Sequence, residues 1–214
     1  MLGTMYIPAH FAASADDVHD LLTSPDAADL VTATASGLLA STLPMIFDPA
    51  VGEHGVLRGH LARNNPQWST PVLGEALVIL RGSDAYITPS WYAAKARHGR
   101  VVPTWNYAVA HVYGRLAVHD DPTWLEAHVR RLTAQQEAAE AHPWSVDDAP
   151  VRFVHGQLRA IVGLELTITR VEAKLKLSQN RAADDIDGVV AGLQARGDHR
   201  SADAVLAARP KDKA

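Results

Sequence analysis

The sequence contains no cysteine, and this absence excludes several kinds of chemistry. Without thiols the chain cannot form disulfides, use a thiolate nucleophile or bind zinc through sulfur. Its histidines do not replace the missing ligands, because His54 and His60 lie six positions apart and no His-Glu-x-x-His pair occurs. We therefore predict no metal site.

Long apolar runs and an excess of positive charge are also missing. The longest apolar stretches, such as Ala76–Leu80, are far shorter than the ~20 residues that a membrane-spanning helix needs. The formal net charge is −4, so no general positive field attracts the chain to nucleic acid or to anionic lipids. We expect no membrane association, and direct DNA binding would require a local basic patch.

Common enzyme and targeting motifs are absent as well. The chain has no Gly-x-Ser-x-Gly elbow, no Gly-x-Gly-x-x-Gly fingerprint and no phosphate-binding Gly-Lys-Ser loop, so hydrolase, Rossmann and nucleotide triphosphatase functions have no support. The first residues, Met1–Met5, show no basic segment followed by an apolar core, which indicates no secretion signal. The expected location is the cytoplasm.

What the sequence does have is the composition and patterning of a folded, β-rich domain. Hydrophobic residues make up 47% and charged residues 21% of the 214 positions, close to the globular average. Alternating apolar positions predict strands, and apolar spacings of three and four predict helices. The strands are predicted at Leu30–Ala35, Leu38–Phe47, Gly55–Leu61, Ala76–Arg81, Ala85–Thr88, Tyr107–Val118 and Ile161–Leu177, and the helices after Ser14, from Pro122 to about Ala141, from Asp184 onward and at Ala202–Ala208.

Several segments in the right order resemble one known family. They are Met5–Pro8, Gly59–Trp68, Tyr86–Tyr92, Val102–Tyr107 and Lys176–Arg181. These segments are similar to those of the PaiB family of FMN-binding negative transcriptional regulators, which belongs to the FMN-binding split-barrel group together with the pyridoxamine phosphate oxidases.

The resemblance implies a fold and a domain division. The fold class is α+β and β-rich, an FMN-binding split barrel, that is, an antiparallel Greek-key barrel, with peripheral helices and a C-terminal helical segment. We expect the barrel domain to span residues 1–180 and the helical extension, packed on the barrel, to span 181–214. The chain departs from the family pattern at Thr42, where His is frequent, and at Leu175, where Trp is frequent.

A basic loop is the first candidate part of a flavin site. The phosphate of FMN carries about −1.5 to −2 charges at pH 7 and needs cations together with hydrogen-bond donors. If Gly55–Leu61 is a strand, the turn that follows it brings His60, Arg63 and backbone N–H groups close together. We predict that His60, Arg63 and Asn64 hold the phosphate; the alternative is a structural histidine beside a solvated arginine.

The other candidate residues lie in three segments. Small residues in Ala40–Pro44 suit close approach of a flat ring, so Ser41, Thr42 and Leu43 are predicted to line the flavin, unless this is an ordinary core strand. In split barrels the flavin sits between two subunits of a homodimer. The resemblance assigns Trp105 and Asn106 to the partner side of the site, and Lys176, Gln179 and Arg181 to the cofactor or the second subunit; interface packing and a charged surface are the alternatives.

Three functions follow from these features. The first is a negative transcriptional regulator of the PaiB type, with FMN as cofactor. The second is an FMN-dependent oxidoreductase, a flavin reductase or oxidase, acting on a small substrate. The third is a haem-binding split barrel with His10, His98 or His111 as an axial ligand. The C-terminal helices resemble a DNA-reading pair only in their spacing, and packing on the barrel is the favoured interpretation.

Overall fold

A computed structural model describes residues 4–24 and 26–210. The two predicted domains, 1–180 and 181–214, therefore include residues that lie outside the described ranges, namely 1–3, 25 and 211–214. Within the described ranges the chain forms seven strands and six α-helices, joined by loops and short 3-10 turns. The strands are β1 (Ala27–Thr34), β2 (Gly37–Pro44), β3 (Ile46–Asp48), β4 (Val56–Ala62), β5 (Ala76–Ile87), β6 (Thr104–His119) and β7 (Ile161–Lys176), and the helices are α1 (Ala15–Thr23), α2 (Ala93–His98), α3 (Pro122–Glu137), α4 (Val151–Leu158), α5 (Ala183–Ala195) and α6 (His199–Ala207).

All seven strands belong to one sheet in the order β2-β1-β5-β6-β7-β4-β3. The pairs β1–β2, β1–β5, β3–β4 and β4–β7 are antiparallel, with Thr34 opposite Gly37 at the tight end of the first hairpin. Only Met45 separates β2 from β3, which lie at opposite ends of the order. One continuous segment therefore pairs first with β1 and then with β4. The predicted β-rich α+β class is confirmed.

The chain divides into two compact units. Within the described residues, unit 1 comprises 4–18, 81–110 and 172–210, and unit 2 comprises 19–80 and 111–171. The division between 1–180 and 181–214 expected from the resemblance follows different boundaries and stays a prediction.

Unit 1 is organised around the C-terminal helices. Ile186, Val189 and Leu193 of α5 are at most 2% exposed and form an apolar cluster with Ile87 and Tyr92. The α5 backbone also lies very close to Trp91, because a Cβ placed on Gly188 would be 1.9 Å from the Trp91 carbonyl oxygen. The two helices are thus packed by apolar burial.

Unit 2 holds the hairpin, β4 and helix α3. Asp121 accepts a hydrogen bond from the Trp124 N–H at 2.8 Å and Pro122 occupies the first turn, which explains why α3 begins there. Gly114 lies on β6 where a Cβ would meet the Thr167 carbonyl oxygen at 2.3 Å. This glycine permits a close strand contact.

Several predicted elements differ from those observed. The segments predicted as separate strands at Ala76–Arg81 and Ala85–Thr88 form the single strand β5, whose buried side chains change parity between Leu80 and Ser83. The predicted helix reaching Ala141 ends at Glu137. Helix α4 was not predicted, because its eight residues are too few for a clear helical periodicity.

None of the helices described is both long and apolar enough to cross a membrane.

Candidate flavin site

The residues predicted for the cofactor fall into two groups, each within one unit. We call them the strand-loop group, in unit 2, and the lysine group, in unit 1. The strand-loop group is Ser41, Thr42, Leu43, His60, Arg63 and Asn64, and the lysine group is Trp105, Asn106, Lys176, Gln179 and Arg181.

Strand β2 presents its three predicted residues differently. Ser41 is half-buried and accepts a hydrogen bond from Asn65 Nδ2 at 2.8 Å. Thr42 is exposed and donates to Asp29 Oδ1 at 2.6 Å. Leu43 is only 3% exposed and lies in the core. Because successive side chains of a strand point to opposite faces, Thr42 faces away from Leu43.

His60 contacts a residue that the sequence did not point to, His128 on α3. Its Nδ1 lies 3.1 Å from His128 Nε2, and the His128 ring packs against Trp124 with ring centroids 5.3 Å apart. His128 is 4% exposed, and its Nδ1 is buried without a partner among the described residues. Burial lowers the pKa of both imidazoles, that of His128 to about 4. The pair is therefore neutral at pH 7.

Arg63 is extensively bound to its own chain. Its guanidinium contacts the Asp120 carboxylate at 3.0 and 2.5 Å and donates to the carbonyl oxygens of Arg159 at 2.8 Å and Ile161 at 3.0 Å. This ion pair lowers the pKa of Asp120 and raises that of Arg63. These contacts use four of the five N–H donors of an arginine, so the loop's one cation is already neutralised.

Asn64 is the uncommitted member of the same loop. It is exposed, and neither its backbone N–H nor its side-chain amide forms a hydrogen bond with any residue that the structure describes. The loop therefore offers neutral donors at Asn64 beside a cation that is paired.

The lysine group has the opposite electrostatic character. Lys176 Nζ donates to Thr104 Oγ1 at 2.5 Å and to the Trp105 carbonyl oxygen. Burial lowers the pKa of Lys176, and the positive charges of Lys174 and Arg181 lower it further. In the described ranges, no carboxylate forms an ion pair with any of these three cations.

Aromatic rings accompany these cations. Lys174 Nζ and Lys176 Nζ lie 5.5 and 5.8 Å from the centroid of the Tyr107 ring, within range of cation–π attraction. Trp105 is 54% exposed and makes an edge contact with Tyr86. Trp105 and Tyr107 also line an open cavity of about 380 Å³.

The remaining members of the lysine group shape the turn after β7. Asn106 is 2% exposed and donates to Ser178 Oγ at 2.9 Å, which holds Ser178 in its left-handed conformation at φ 68°. Gln179 donates to the Leu175 carbonyl oxygen at 2.6 Å and accepts from the Leu177 N–H at 2.7 Å. Their polar atoms are satisfied within the chain, so these two amides position the neighbouring cations.

The donor set of the lysine group fits FMN. A phosphate that carries about −1.5 to −2 charges is stabilised by cations that no carboxylate neutralises. Lys174, Lys176 and Arg181 meet this condition, and the exposed faces of Trp105 and Tyr107 offer flat apolar surfaces to a ring system. Lys174 was not among the predicted residues, although it shares a strand face with Lys176, and it is hereafter included in the lysine group.

The histidines considered for haem are scattered. His10 is exposed beside Phe11, His98 accepts a hydrogen bond from the Arg100 N–H, and His111 lies on β6 beside Tyr113. Among the residues described, no three His, Asp or Glu side chains are grouped so that they could hold a metal ion.

The chain resembles known proteins over most of its length. Residues 5–170 match the family described as "Putative FMN-binding domain". The protease synthase and sporulation protein PAI 2 of Bacillus subtilis is 32% identical, over 89% of each chain. The uncharacterized protein AN0679 of Emericella nidulans is 34% identical, over 90% of this chain and 92% of that protein.

Solved structures share the fold at low sequence identity. The flavocytochrome Anf3 of Azotobacter vinelandii superposes with a TM-score of 0.52 at 11% identity, over 76% of this chain and 67% of that one. The FAD and heme binding protein of Mycobacterium smegmatis superposes with a TM-score of 0.50 at 19% identity, over 84% and 78%. The predicted split-barrel fold is confirmed.

The family match covers far more than half of the chain, and PAI 2 is similar along almost its whole length. As the resemblance to PaiB predicted, this chain belongs to the FMN-binding domain family that includes PAI 2, and its cofactor is FMN.

Proposed function

We propose that the protein is a homodimeric FMN-binding regulator of the PaiB type, in which each FMN lies between the strand-loop group of one protomer and the lysine group of its partner. One observation carries the proposal. The cations of the lysine group have no acidic partner among the described residues, whereas Arg63 of the strand-loop group is neutralised by Asp120. The lysine group therefore offers unneutralised positive charge, which the strand-loop group lacks, and the strand-loop group offers neutral hydrogen-bond donors.

The strand-loop group contributes neutral contacts. Asn64 has an unused backbone N–H and side-chain amide, both suited to phosphate or ribityl oxygens, and Arg63 keeps one N–H donor for the same purpose. Thr42 and Ser41 are small, so a ring can approach the β2 backbone closely. Leu43 supports this strand from the core.

The lysine group contributes charge and apolar surface. Lys176 is held at a fixed position by Thr104 and the Trp105 carbonyl, so little side-chain entropy remains to be lost when an anion binds. Trp105 covers one side of the ring system and excludes water there. Bound FMN would supply one- and two-electron redox chemistry.

Mixed dimers test whether the two groups come from different protomers. Asn64→Asp places a negative charge beside the predicted phosphate position, and Lys176→Gln removes a positive one. Each variant alone, as a homodimer, is expected to bind FMN at least about tenfold more weakly, so that at an FMN concentration just sufficient for the wild type it stays largely empty. A heterodimer of the two, purified through two different tags, carries one intact site and one doubly altered site, so it should bind one FMN per dimer.

Two results would contradict this arrangement. If both groups of one site belong to the same protomer, the heterodimer has no intact site and binds no FMN. If light scattering shows a monomer that binds FMN with full affinity, the shared site is wrong. Asn64→Gln is the matched control, since it keeps a neutral amide and should retain FMN.

The regulatory part of the proposal rests on the resemblance to the PaiB family. Helices α5 and α6 are fixed by apolar packing, with Ala202 and Val205 at most 1% exposed, so the C-terminal pair is not supported as a DNA-reading element. Direct DNA binding is therefore not part of the proposal, and regulation through another partner is expected. A gel-shift assay at two salt concentrations tests this, because a shifted band would require a basic surface elsewhere.

An FMN-dependent oxidoreductase is the second candidate. The cavity of about 380 Å³ beside Trp105 and Tyr107 has room for a small reactant, which favours this alternative. Oxidation of NADH or NADPH by the FMN-loaded protein would support the enzyme, and the absence of turnover would support the regulator. Haem binding stays the weakest prediction and requires a Soret band after reconstitution.

A further inference from the structure

A second cavity lies in unit 2, and none of its lining residues belongs to the lysine group. It has a volume of about 360 Å³ and forms where α4 and the first turn of α3 meet the loop after β4. Pro122, Leu125 and Leu158 give it an apolar floor, and the latter two are at most 6% exposed. The Arg63–Asp120 ion pair forms one wall, and its two charges cancel.

The rim of this cavity carries a cation with no partner. Arg159 and His155 lie one helical turn apart, at the end of α4, and both line the cavity. Within the described part of the chain, neither side chain takes part in a hydrogen bond or an ion pair. The Arg159 carbonyl oxygen accepts from Arg63, which fixes the backbone below the free guanidinium.

We propose that this cavity is a binding site for a small organic carboxylate, distinct from the FMN site although Arg63 of the strand-loop group forms part of its wall. The carboxylate contacts the Arg159 guanidinium, which can donate two parallel hydrogen bonds, and a ring nitrogen of His155 adds a third donor. The apolar body of the ligand lies on Leu125, Leu158 and Pro122. At about 360 Å³ the cavity is near the lower end of small-molecule sites, so it suits one aromatic ring or a short alkyl chain.

Benzoate and benzamide are the probes, because they share a ring and differ in charge. Calorimetric titration of the full chain should show benzoate binding about tenfold or more tightly than benzamide, since hydrogen bonds to a charged group are the stronger ones. Arg159→Gln should lower the affinity for benzoate by about tenfold or more and leave that for benzamide nearly unchanged. Gln keeps the backbone carbonyl that Arg63 requires.

Arg152→Gln is the matched control, since Arg152 is an exposed arginine of the same helix outside the cavity lining. It should leave the affinity for benzoate unchanged. The proposal is overturned if benzoate does not bind, if benzamide binds equally well, or if both arginine variants weaken benzoate alike. It is also overturned if FMN displaces benzoate, because the cavity would then belong to the flavin site. Since the titration is read without FMN, failure of the proposed flavin arrangement does not affect it.

Discussion

Two arginines of unit 2, Arg58 and Arg63, and the cations of the lysine group are used in opposite ways. Arg58 in unit 2 contacts Asp48 at 2.8 Å and Glu165 at 2.7 Å, and Arg63 contacts Asp120 in the same manner. These arginines join strands and loops that are distant in sequence. Their positive charge is balanced where it lies, so it contributes to folding and little to the attraction of an anion.

Lys174, Lys176 and Arg181 differ from these arginines. Lys174 and Arg181 lie close enough to Lys176 to lower its pKa, and none of the described carboxylates forms an ion pair with any of the three. Like charges gathered in this way oppose folding. An anion that binds there relieves the repulsion, which is why a cluster of this kind indicates a ligand site more strongly than a count of basic residues does.

The largest expected effect concerns the His60–His128 pair, two imidazoles in contact within unit 2. The pKa of His128 is lowered from 6.5 to about 4, so the folded state binds fewer protons than the unfolded state between these values. Stability is therefore complete above about pH 6.5 and is lost as the pH falls towards 4. The loss due to His128 between these two pH values is about 2.5 kcal/mol, measured by urea unfolding at pH 7 and pH 4.5.

His128→Gln should flatten this dependence, because the buried titrating group is gone, although the variant is less stable at pH 7. His142→Gln, which alters an exposed histidine, is the control and should keep the wild-type slope. An equal slope in wild type and His128→Gln would show that the acid sensitivity arises elsewhere.

The next effect tests the lysine group directly. Lys176→Gln should weaken FMN binding by about tenfold to a hundredfold, the range for a hydrogen bond to a charged group. The glutamine amide can still donate towards Thr104, so the thermal midpoint should change little. Quenching of flavin fluorescence gives the affinity.

Lys95→Gln is the control in the same unit, since Lys95 is exposed and donates to Ser90 Oγ. Equal losses in the two lysine variants would mean that total charge, and not the cluster, governs FMN binding.

Much of the fold was predictable because its strands and helices depend on patterns of residues that are close together in the sequence. The hairpin of β1 and β2, the capping of α1 by Ser14 and Asp17, and the proline start of α3 all depend on residues adjacent in sequence. The shift of buried positions within β5 was not predictable, because a change of parity looks like a strand end when only the sequence is known.

The residues of the candidate site stay a prediction, and their pairing could not be read from the sequence. That Arg63 is paired depends on Asp120, which is 57 positions away, and the contact of His60 with a second imidazole depends on His128, 68 positions away. No local spacing reports such partners. Lys174 could have been included, because it alternates with Lys176 on one strand face.

The smallest expected effect comes from releasing the paired cation of the strand-loop group. Asp120→Asn removes the charge that neutralises Arg63, so the loop becomes more positive and its guanidinium gains donors. FMN affinity should rise by about threefold at low salt and less at high salt, since the site is exposed and screened. Asp147→Asn, which breaks the comparable pair with Arg130 in the same unit, should leave the affinity unchanged. If neither Asp120→Asn nor Asp147→Asn changes the affinity, the loop that holds Arg63 does not face the phosphate. The strand-loop group would then be a structural part of the protein, and the lysine group alone would supply the charge that binds FMN.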